Sequence, residues 1–443
     1  MSTPSTPSTA ACDLLIVGAG PAGLAAALAA APSGARIVLL DDNPAPGGQI
    51  WRDGPGATLP QAALRQREAL ARHANVELRC GTRVAGLAHR TERVPGLHAL
   101  LLEDAAGGWV QQARQVILCT GARELLLPFP GWTLPGVTGA GGLQALIKGG
   151  LPVAGQRIVV AGSGPLLLAA ARTARDAGAQ VVAVAEQAPW RALVPFGASL
   201  VRWPAKAVQA MALLPATYRA DTHVARAHGT DGARGQLQSV TLRAHGRERD
   251  IACDRLACGF GLVPNTELGQ MLGGSLNARH GLRVDAQQCL HGVPGVMAAG
   301  ECTGFGGSER SRAEGAMAGF LAVGDTAAAR ALEPERARWQ AFADALHQHF
   351  ALQPALAHLA EPDTLVCRCE DVPRAALVGR TGWIDAKLHT RCGMGPCQGR
   401  ICGAATRHLL GWTPAPSHHL LAPTRIGTLA GLADAGPPPP AQG

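Results

Sequence analysis

Short apolar runs alternate with glycine-rich turns along the first 190 residues, and their order predicts a repeated strand–turn–helix–strand unit. Asp13 to Val17 reads as a buried strand. It runs into Gly18-Ala19-Gly20-Pro21-Ala22-Gly23, then an Ala/Leu-rich helix from Leu24 to about Ala31, then a second strand from Arg36 to Leu40 that ends at Asp41. The pattern returns 144 residues later. Arg157 to Ala161 leads into Gly162-Ser163-Gly164-Pro165-Leu166-Leu167, a helix, and the strand Val181 to Ala185, closed by Glu186. The segment Val116 to Ala122 reads as a further buried strand ending in Thr120-Gly121, and Pro334 to Leu359 as a helical linker.

The first turn has the full context of a dinucleotide-binding unit. Gly18 permits the tight turn, Gly20 lets backbone approach a pyrophosphate, and Gly23 allows close helix–strand packing, with the helix N-terminus opening at Pro21. Asp41 is placed to accept hydrogen bonds from ribose hydroxyls. In the second unit Leu167 holds the third glycine position. A leucine there is expected to push the helix off the strand and crowd the pyrophosphate path. Two readings therefore stay open for NAD(P): a working site, or a scaffold that has lost its nucleotide.

Composition changes this picture little. The net charge of +8 comes almost wholly from arginine, since Lys148, Lys206 and Lys387 are the only lysines. A basic face for an acidic partner is compatible with that charge. Nucleic-acid binding is not expected, because aromatics are sparse and no basic helix stands out. No apolar run reaches the roughly 18 residues that would span a bilayer. Residues 1–11 lack the order of a secretion signal and read as a disordered lead-in, so the expected location is the cytoplasm, with peripheral attachment to the inner membrane face as an extension. His347 and His349 sit two apart in the helical linker and are expected to be solvated or capping.

Cysteine usage matters more. Seven of the twelve cysteines are scattered singly up to Cys302, and five fall between Cys367 and Cys402. No C-x-x-C pair precedes Cys367, and the one C-x4-C spacing, Cys253 and Cys258, lies in the second unit rather than after the first glycine turn, so disulfide reduction is not expected. The cluster reads Cys367-Arg368-Cys369-Glu370, then Arg391-Cys392-Gly393-Met394-Gly395-Pro396-Cys397-Gln398-Gly399-Arg400-Ile401-Cys402. Thiolates suit iron–sulfur clusters, and a C-x-C pair fits a short cluster-binding loop better than a zinc knuckle. Cys367, Cys369, Cys397 and Cys402 are the expected ligands of a [2Fe–2S] centre, with Cys392 a nearby spare thiol. A structural zinc site on the same residues is the competing reading.

Several segments resemble the two-dinucleotide-binding flavoproteins, over roughly residues 12 to 330. They are Gly47-Gly48-Gln49, the Thr120-Gly121 turn, Cys258 to Asn265, and Gly295 to Glu301, where that family usually has Asp in place of Glu301. The resemblance implies FAD held by Gly18, Gly20, Pro21, Gly23, Asp41, Gly48, Gln49, Thr120, Gly121, Gly300 and Glu301. Adding Ile50, Phe129 to Gly136, Gly139 to Gln144 and the cysteine region, the chain resembles the α-type subunits of heteromeric amino-acid and opine dehydrogenases. Its last part resembles a bacterioferritin-associated-ferredoxin [2Fe–2S] module. This resemblance implies an α/β fold with paired Rossmann-like domains. The FAD domain would span 12–125 and 265–333, the degenerate second domain 126–264, the linker 334–361, the [2Fe–2S] domain 362–415 and a Pro-rich tail 416–443. It also implies two partner subunits, one an amino-acid-oxidase-like flavoprotein and the other small and ferredoxin-like. A respiratory-chain acceptor and FMN at an interface, as a further candidate cofactor, complete the implication. The alternative is a self-sufficient NAD(P)H-dependent reductase serving a ferredoxin; a zinc-stabilised scaffold is the non-enzymatic reading.

Overall fold

A computed structural model describes residues 11–88, 96–230, 235–414 and 420–433. The lead-in expected over residues 1–11 falls almost wholly outside these. The first unit centres on a seven-stranded sheet. Cys12–Val17 lies parallel to Ile37–Leu40 on one side and to Gly108–Leu118 on the other, in registers Leu14↔Ile37 and Leu14↔Gln115. Val76–Arg79 extends the sheet in parallel, His98–Glu103 and Arg83–Leu87 continue it antiparallel, and Val296–Ala298 returns from far downstream to pair with Gly108–Leu118. The central strands are buried on both faces, as their unbroken Leu/Ile/Val runs require.

The helix Pro21–Ala30 is apolar all round because it is covered on both sides. The sheet lies beneath it and the helix Gly307–Ala322 lies above. Gly315 and Gly319 make that contact possible, since a Cβ added at either would stand 2.0 or 2.2 Å from the Ala22 or Ala26 carbonyl oxygen. The second unit is a five-stranded parallel sheet around Arg157–Gly162, flanked by Gln180–Glu186 and Arg255–Gly259. A three-stranded antiparallel sheet of Thr222–Gly229, Leu237–Ala244 and Arg247–Ala252 packs on it.

Two short strands, Ala122–Glu124 and Leu262–Pro264, form the antiparallel ribbon between the units. The buried strand that begins before Val116 ends at Leu118, and the chain turns through Thr120-Gly121 before joining the ribbon. The linker forms the helix Glu333–His349 and a 3-10 turn, Pro354–His358. His347 and His349 are half-buried in the last turn of that helix. His347 stacks 3.9 Å from the Phe305 ring, where burial lowers its pKa to about 4, and His349 lies 5.8 Å from Phe196.

The cysteine region has its own small core around Trp383, Val366, Val372 and Leu377. It is pinned to the second unit by Trp132, whose Nε1 donates to the Leu365 carbonyl at 2.6 Å beneath the Arg368 guanidinium. Residues 420–430, within the stretch read as a tail, lie on the first sheet: Leu421 N donates to Ala85 O at 2.7 Å, and Arg425 N to Glu103 at 3.0 Å. No helix among the described residues is long and apolar enough to cross a membrane.

Candidate cofactor sites

The first glycine turn is shaped by clashes that only glycine avoids. A Cβ on Gly18, whose φ is +105°, would stand 2.2 Å from the Cys119 carbonyl oxygen, and one on Gly23 would stand 1.8 Å from the Gly18 carbonyl oxygen. At Gly20 the nearest atom is 3.8 Å away, so the missing side chain there leaves open approach to backbone N–H groups at the helix start. Asp41, 5 % exposed, accepts from Ala19 N at 2.8 Å, Asn43 N at 2.9 Å and Asn43 Nδ2 at 2.7 Å. A carboxylate offers about four acceptor positions, so capacity for a ribose hydroxyl is left. Gly47 N donates to Ala19 O at 2.8 Å, folding the Gly47–Gly48 loop onto the turn, while exposed Gln49 accepts from Arg52 at 2.9 Å. These features fit a dinucleotide pyrophosphate.

Thr120 and Gly121 turn the chain beside this site. Thr120 Oγ1 donates to the Asn265 carbonyl at 2.6 Å, and Asn265 Nδ2 returns a bond to Thr120 O at 2.9 Å. Gly300, at φ +82°, opens the opposite wall next to Ala22. Glu301 follows it, with burial raising its pKa against the pull of the Arg310 charge. No motif in the chain points to Glu314, which lies inside this wall at 2 % exposure. It accepts from Gly300 N at 2.9 Å and Thr303 Oγ1 at 3.2 Å and pairs with Arg310 at 2.7 Å. The buried ion pair fixes the backbone that carries Gly300 and Glu301.

The second turn is built differently. Leu167 is fully buried, yet it does not lift its helix away from the strand as expected. The facing residue, Gly259, has no side chain, and a Cβ there would lie 3.6 Å from Leu167 Cδ2. That distance is ordinary contact, so Leu167 fills the core beside the strand without a clash. Glu186 accepts from Gly164 N at 2.7 Å and Ala188 N at 2.9 Å, and burial pushes its pKa up to about 7. The chain's own residues 350–353 lie in front of this turn. Ser163 Oγ donates to Phe350 O at 2.9 Å, and Gln187 Nε2 donates to Ser163 Oγ at 3.0 Å and Ala351 O at 3.2 Å. Gln353 N donates to Gln187 Oε1 at 2.9 Å, and Gln353 Nε2 also donates to the Gln187 carbonyl.

The five clustered cysteines divide into a trio and a pair. The sulfurs of Cys367, Cys392 and Cys402, all buried, lie within 4.8 Å of one another. Their thiols compete for one charge: hydrogen bonds from Cys392 and Cys402 lower the Cys367 pKa and raise their own. Cys369, exposed, hydrogen-bonds with half-buried Cys397. So Cys367 and Cys402 meet, Cys369 and Cys397 meet, and Cys392 joins the first two. The glycines between them are explained by Trp383: a Cβ on Gly393 or Gly399, both at positive φ, would come within 2.5 or 2.8 Å of its ring. The trio and the pair together offer the four cysteines that a [2Fe–2S] centre takes, with one thiol over.

Residues 12–320 match the pyridine nucleotide-disulphide oxidoreductase family. The chain belongs to that family. It is an FAD-dependent oxidoreductase by that membership. Among curated relatives of this oxidoreductase, an opine oxidase subunit of Rhizobium meliloti (strain 1021) is 32% identical, over 95% of this chain and 98% of the relative. Hydrogen cyanide synthase subunit HcnB of Pseudomonas aeruginosa is 30% identical, over 90% and 94%. Among solved structures, L-proline dehydrogenase from P. horikoshii superposes with a TM-score of 0.65 at 18% identity, covering 95% of this chain and 79% of that one.

Proposed function

We propose that this chain is the electron-transferring flavoprotein and iron–sulfur subunit of a heteromeric dehydrogenase that oxidises a C–N bond of an amino acid or opine. The observation that carries this reading is the filled second turn. In a self-sufficient reductase that turn would receive NAD(P)H. Here Phe350 and Ala351 accept from the Ser163 and Gln187 side chains and Gln353 N donates to Gln187, so the chain's own backbone lies beside the turn where a nucleotide would have to enter. Electrons then have to arrive from a partner, an amino-acid-oxidase-like flavoprotein subunit. Opine oxidase and hydrogen cyanide synthase are represented among the relatives by proteins named as subunits. Near-complete mutual coverage with them supports the same division of labour.

FAD would be held by the first turn, with Gly18, Gly20, Pro21, Gly23 and Asp41 at the nucleotide end. Gly48, Gln49, Thr120, Gly121, Gly300 and Glu301 would stand around the rest. Cys367, Cys369, Cys397 and Cys402 would hold the [2Fe–2S] centre. The flavin supplies two-electron chemistry and the cluster one-electron chemistry, which lets a hydride equivalent leave in single steps. An interfacial FMN, a respiratory-chain acceptor and a small ferredoxin-like protein complete the proposed complex. The buried trio gives a second reading some support, because three mutually close thiols also suit a mononuclear zinc ion.

Metal analysis and anaerobic spectroscopy test the proposal. The purified chain should carry flavin and iron, NADH and NADPH should leave its flavin oxidised, and substrate should bleach it only with the partner present. Rapid bleaching of the isolated chain by NADH would overturn the partner-fed reading, and zinc in place of iron would overturn the cluster.

A further inference from the structure

Arg123 joins the flavin-side turn to the cysteine loop. It lies on the ribbon strand Ala122–Glu124, opposite Val263 and shortly after Thr120-Gly121. Its Nη1 donates to Asn265 Oδ1 at 2.7 Å and pairs with Glu267 at 2.9 Å. Its Nε donates to the backbone carbonyl of Arg400 at 3.2 Å, across 277 positions of sequence. Asn265 is the residue that exchanges hydrogen bonds with Thr120, and Arg400 N donates to the Cys397 carbonyl at 3.0 Å. A continuous hydrogen-bonded route therefore runs Thr120–Asn265–Arg123–Arg400–Cys397.

The ribbon alone does not require this arrangement. Its backbone pairing is complete without the side chain, and Glu267 would hold the guanidinium without the bond to Arg400. What the third contact adds is registration of the Cys397 loop against the Thr120 turn. A planar guanidinium can bridge three acceptors in fixed directions, which a lysine ammonium on a flexible stem does not reproduce. It also brings a positive charge, little exposed, to the side of the loop that carries Cys397.

We propose that Arg123 is a positioning residue for electron transfer, fixing the Cys397 side of the cysteine centre to the flavin-side turn and stabilising that centre when it is reduced. The inference rests on the proposed function of the chain as a flavin and iron–sulfur electron carrier. In each transfer the flavin is oxidised by one electron and the centre reduced by one, so negative charge is added next to the guanidinium. Transfer falls steeply with the gap between donor and acceptor, so a loop free to drift slows it.

The test uses the assembled complex with Arg123→Met and Arg123→Lys, followed by flavin and iron analysis, a redox titration of the centre monitored by electron paramagnetic resonance, and single-turnover reduction by substrate. Both variants should retain flavin and iron. Arg123→Met should lower the reduction potential and slow flavin-to-centre transfer by roughly two- to thirty-fold, the range for a contact in a coupling network. Arg123→Lys should restore the potential and leave transfer slow. Wild-type potential and rate in a fully loaded Arg123→Met complex would overturn the inference. If that variant does not assemble, an unchanged transfer rate in Arg123→Lys does so. Wild-type protein without iron would instead overturn the electron-carrier function on which the inference stands.

Discussion

The two glycine turns share a frame and differ in what lies against it. In each, the acid ending the second strand folds back on a turn N–H: Asp41 on Ala19 at 2.8 Å, Glu186 on Gly164 at 2.7 Å. In each, the first glycine presses on the end of a neighbouring strand, Gly18 on Cys119 and Gly162 on Gly259. The third position then diverges. The first unit has Gly23 there, facing Cys119; the second has Leu167, in ordinary contact beside Gly259. Helix–strand fit survives either way, so the missing glycine does not by itself abolish a nucleotide site. Gly20 and Gly164 are equally clear, with the nearest atoms 3.8 and 3.9 Å from an added Cβ, and the difference is that residues 350–351 bond the Ser163 and Gln187 side chains beside the second turn.

The largest effect should come from moving the second unit's residue into the first. Gly23→Leu sets a Cβ against the Gly18 carbonyl, where 1.8 Å is available, and should abolish flavin binding and cost more than about 4 kcal/mol of stability, a loss typical of severe overpacking. Cys119→Gly should not rescue it, because the obstacle is backbone. Flavin content and thermal unfolding are the readouts; a flavin-loaded double variant would show that the two packings are interchangeable. The converse change, Leu167→Ala, leaves a cavity and should cost about 2–5 kcal/mol while sparing the flavin.

How much of this was legible in the sequence follows the same division. The first turn was readable because its steric demands are local, and each demand leaves a glycine behind. The cover on the second turn was not, since Phe350 and Ala351 contribute carbonyl oxygens that any residue would supply. Nothing in the spacing of Glu314 and Arg310 signals that the fold brings Gly300 N against the carboxylate of that pair. Residues 420–430 read as tail because their partners, Ala85 and Glu103, lie more than 300 positions away. Among five clustered cysteines, spacing could not settle neighbours. The loop's path around Trp383 does, and it brings Cys392 beside Cys367 and Cys402.

Glu186 also brings a pH dependence to the second turn. Burial holds Glu186 at about 7 in the folded protein, against an ordinary value of 4.5. The folded state therefore binds the proton more tightly than the unfolded chain. The stability this gives is complete below pH 4.5 and is lost as pH rises through about 7, at most roughly 3 kcal/mol over that window. Glu186→Gln should flatten the fall between pH 5 and pH 7.5, measured as denaturant midpoints at the two values. Equal falls in wild type and variant would mean that the carboxyl is already ionised at pH 5.

The smallest effect tests how firmly the cover is held. Ser163 occupies the place of Ala19 in the first turn, and its hydroxyl links Phe350 O and Gln187 Nε2. Ser163→Ala makes the turns alike at that position and removes one bond to the cover, so a loss of about 1 kcal/mol is expected. Amide exchange over residues 350–353 should quicken by a corresponding factor. NADH should still leave the flavin oxidised, because Gln187 keeps its bonds to Ala351 O and Gln353 N, and Leu356 and Leu359 stay anchored in the second unit's core. Nicotinamide binding in this variant would mean that one hydroxyl, rather than the whole run of residues 350–359, keeps the second turn closed.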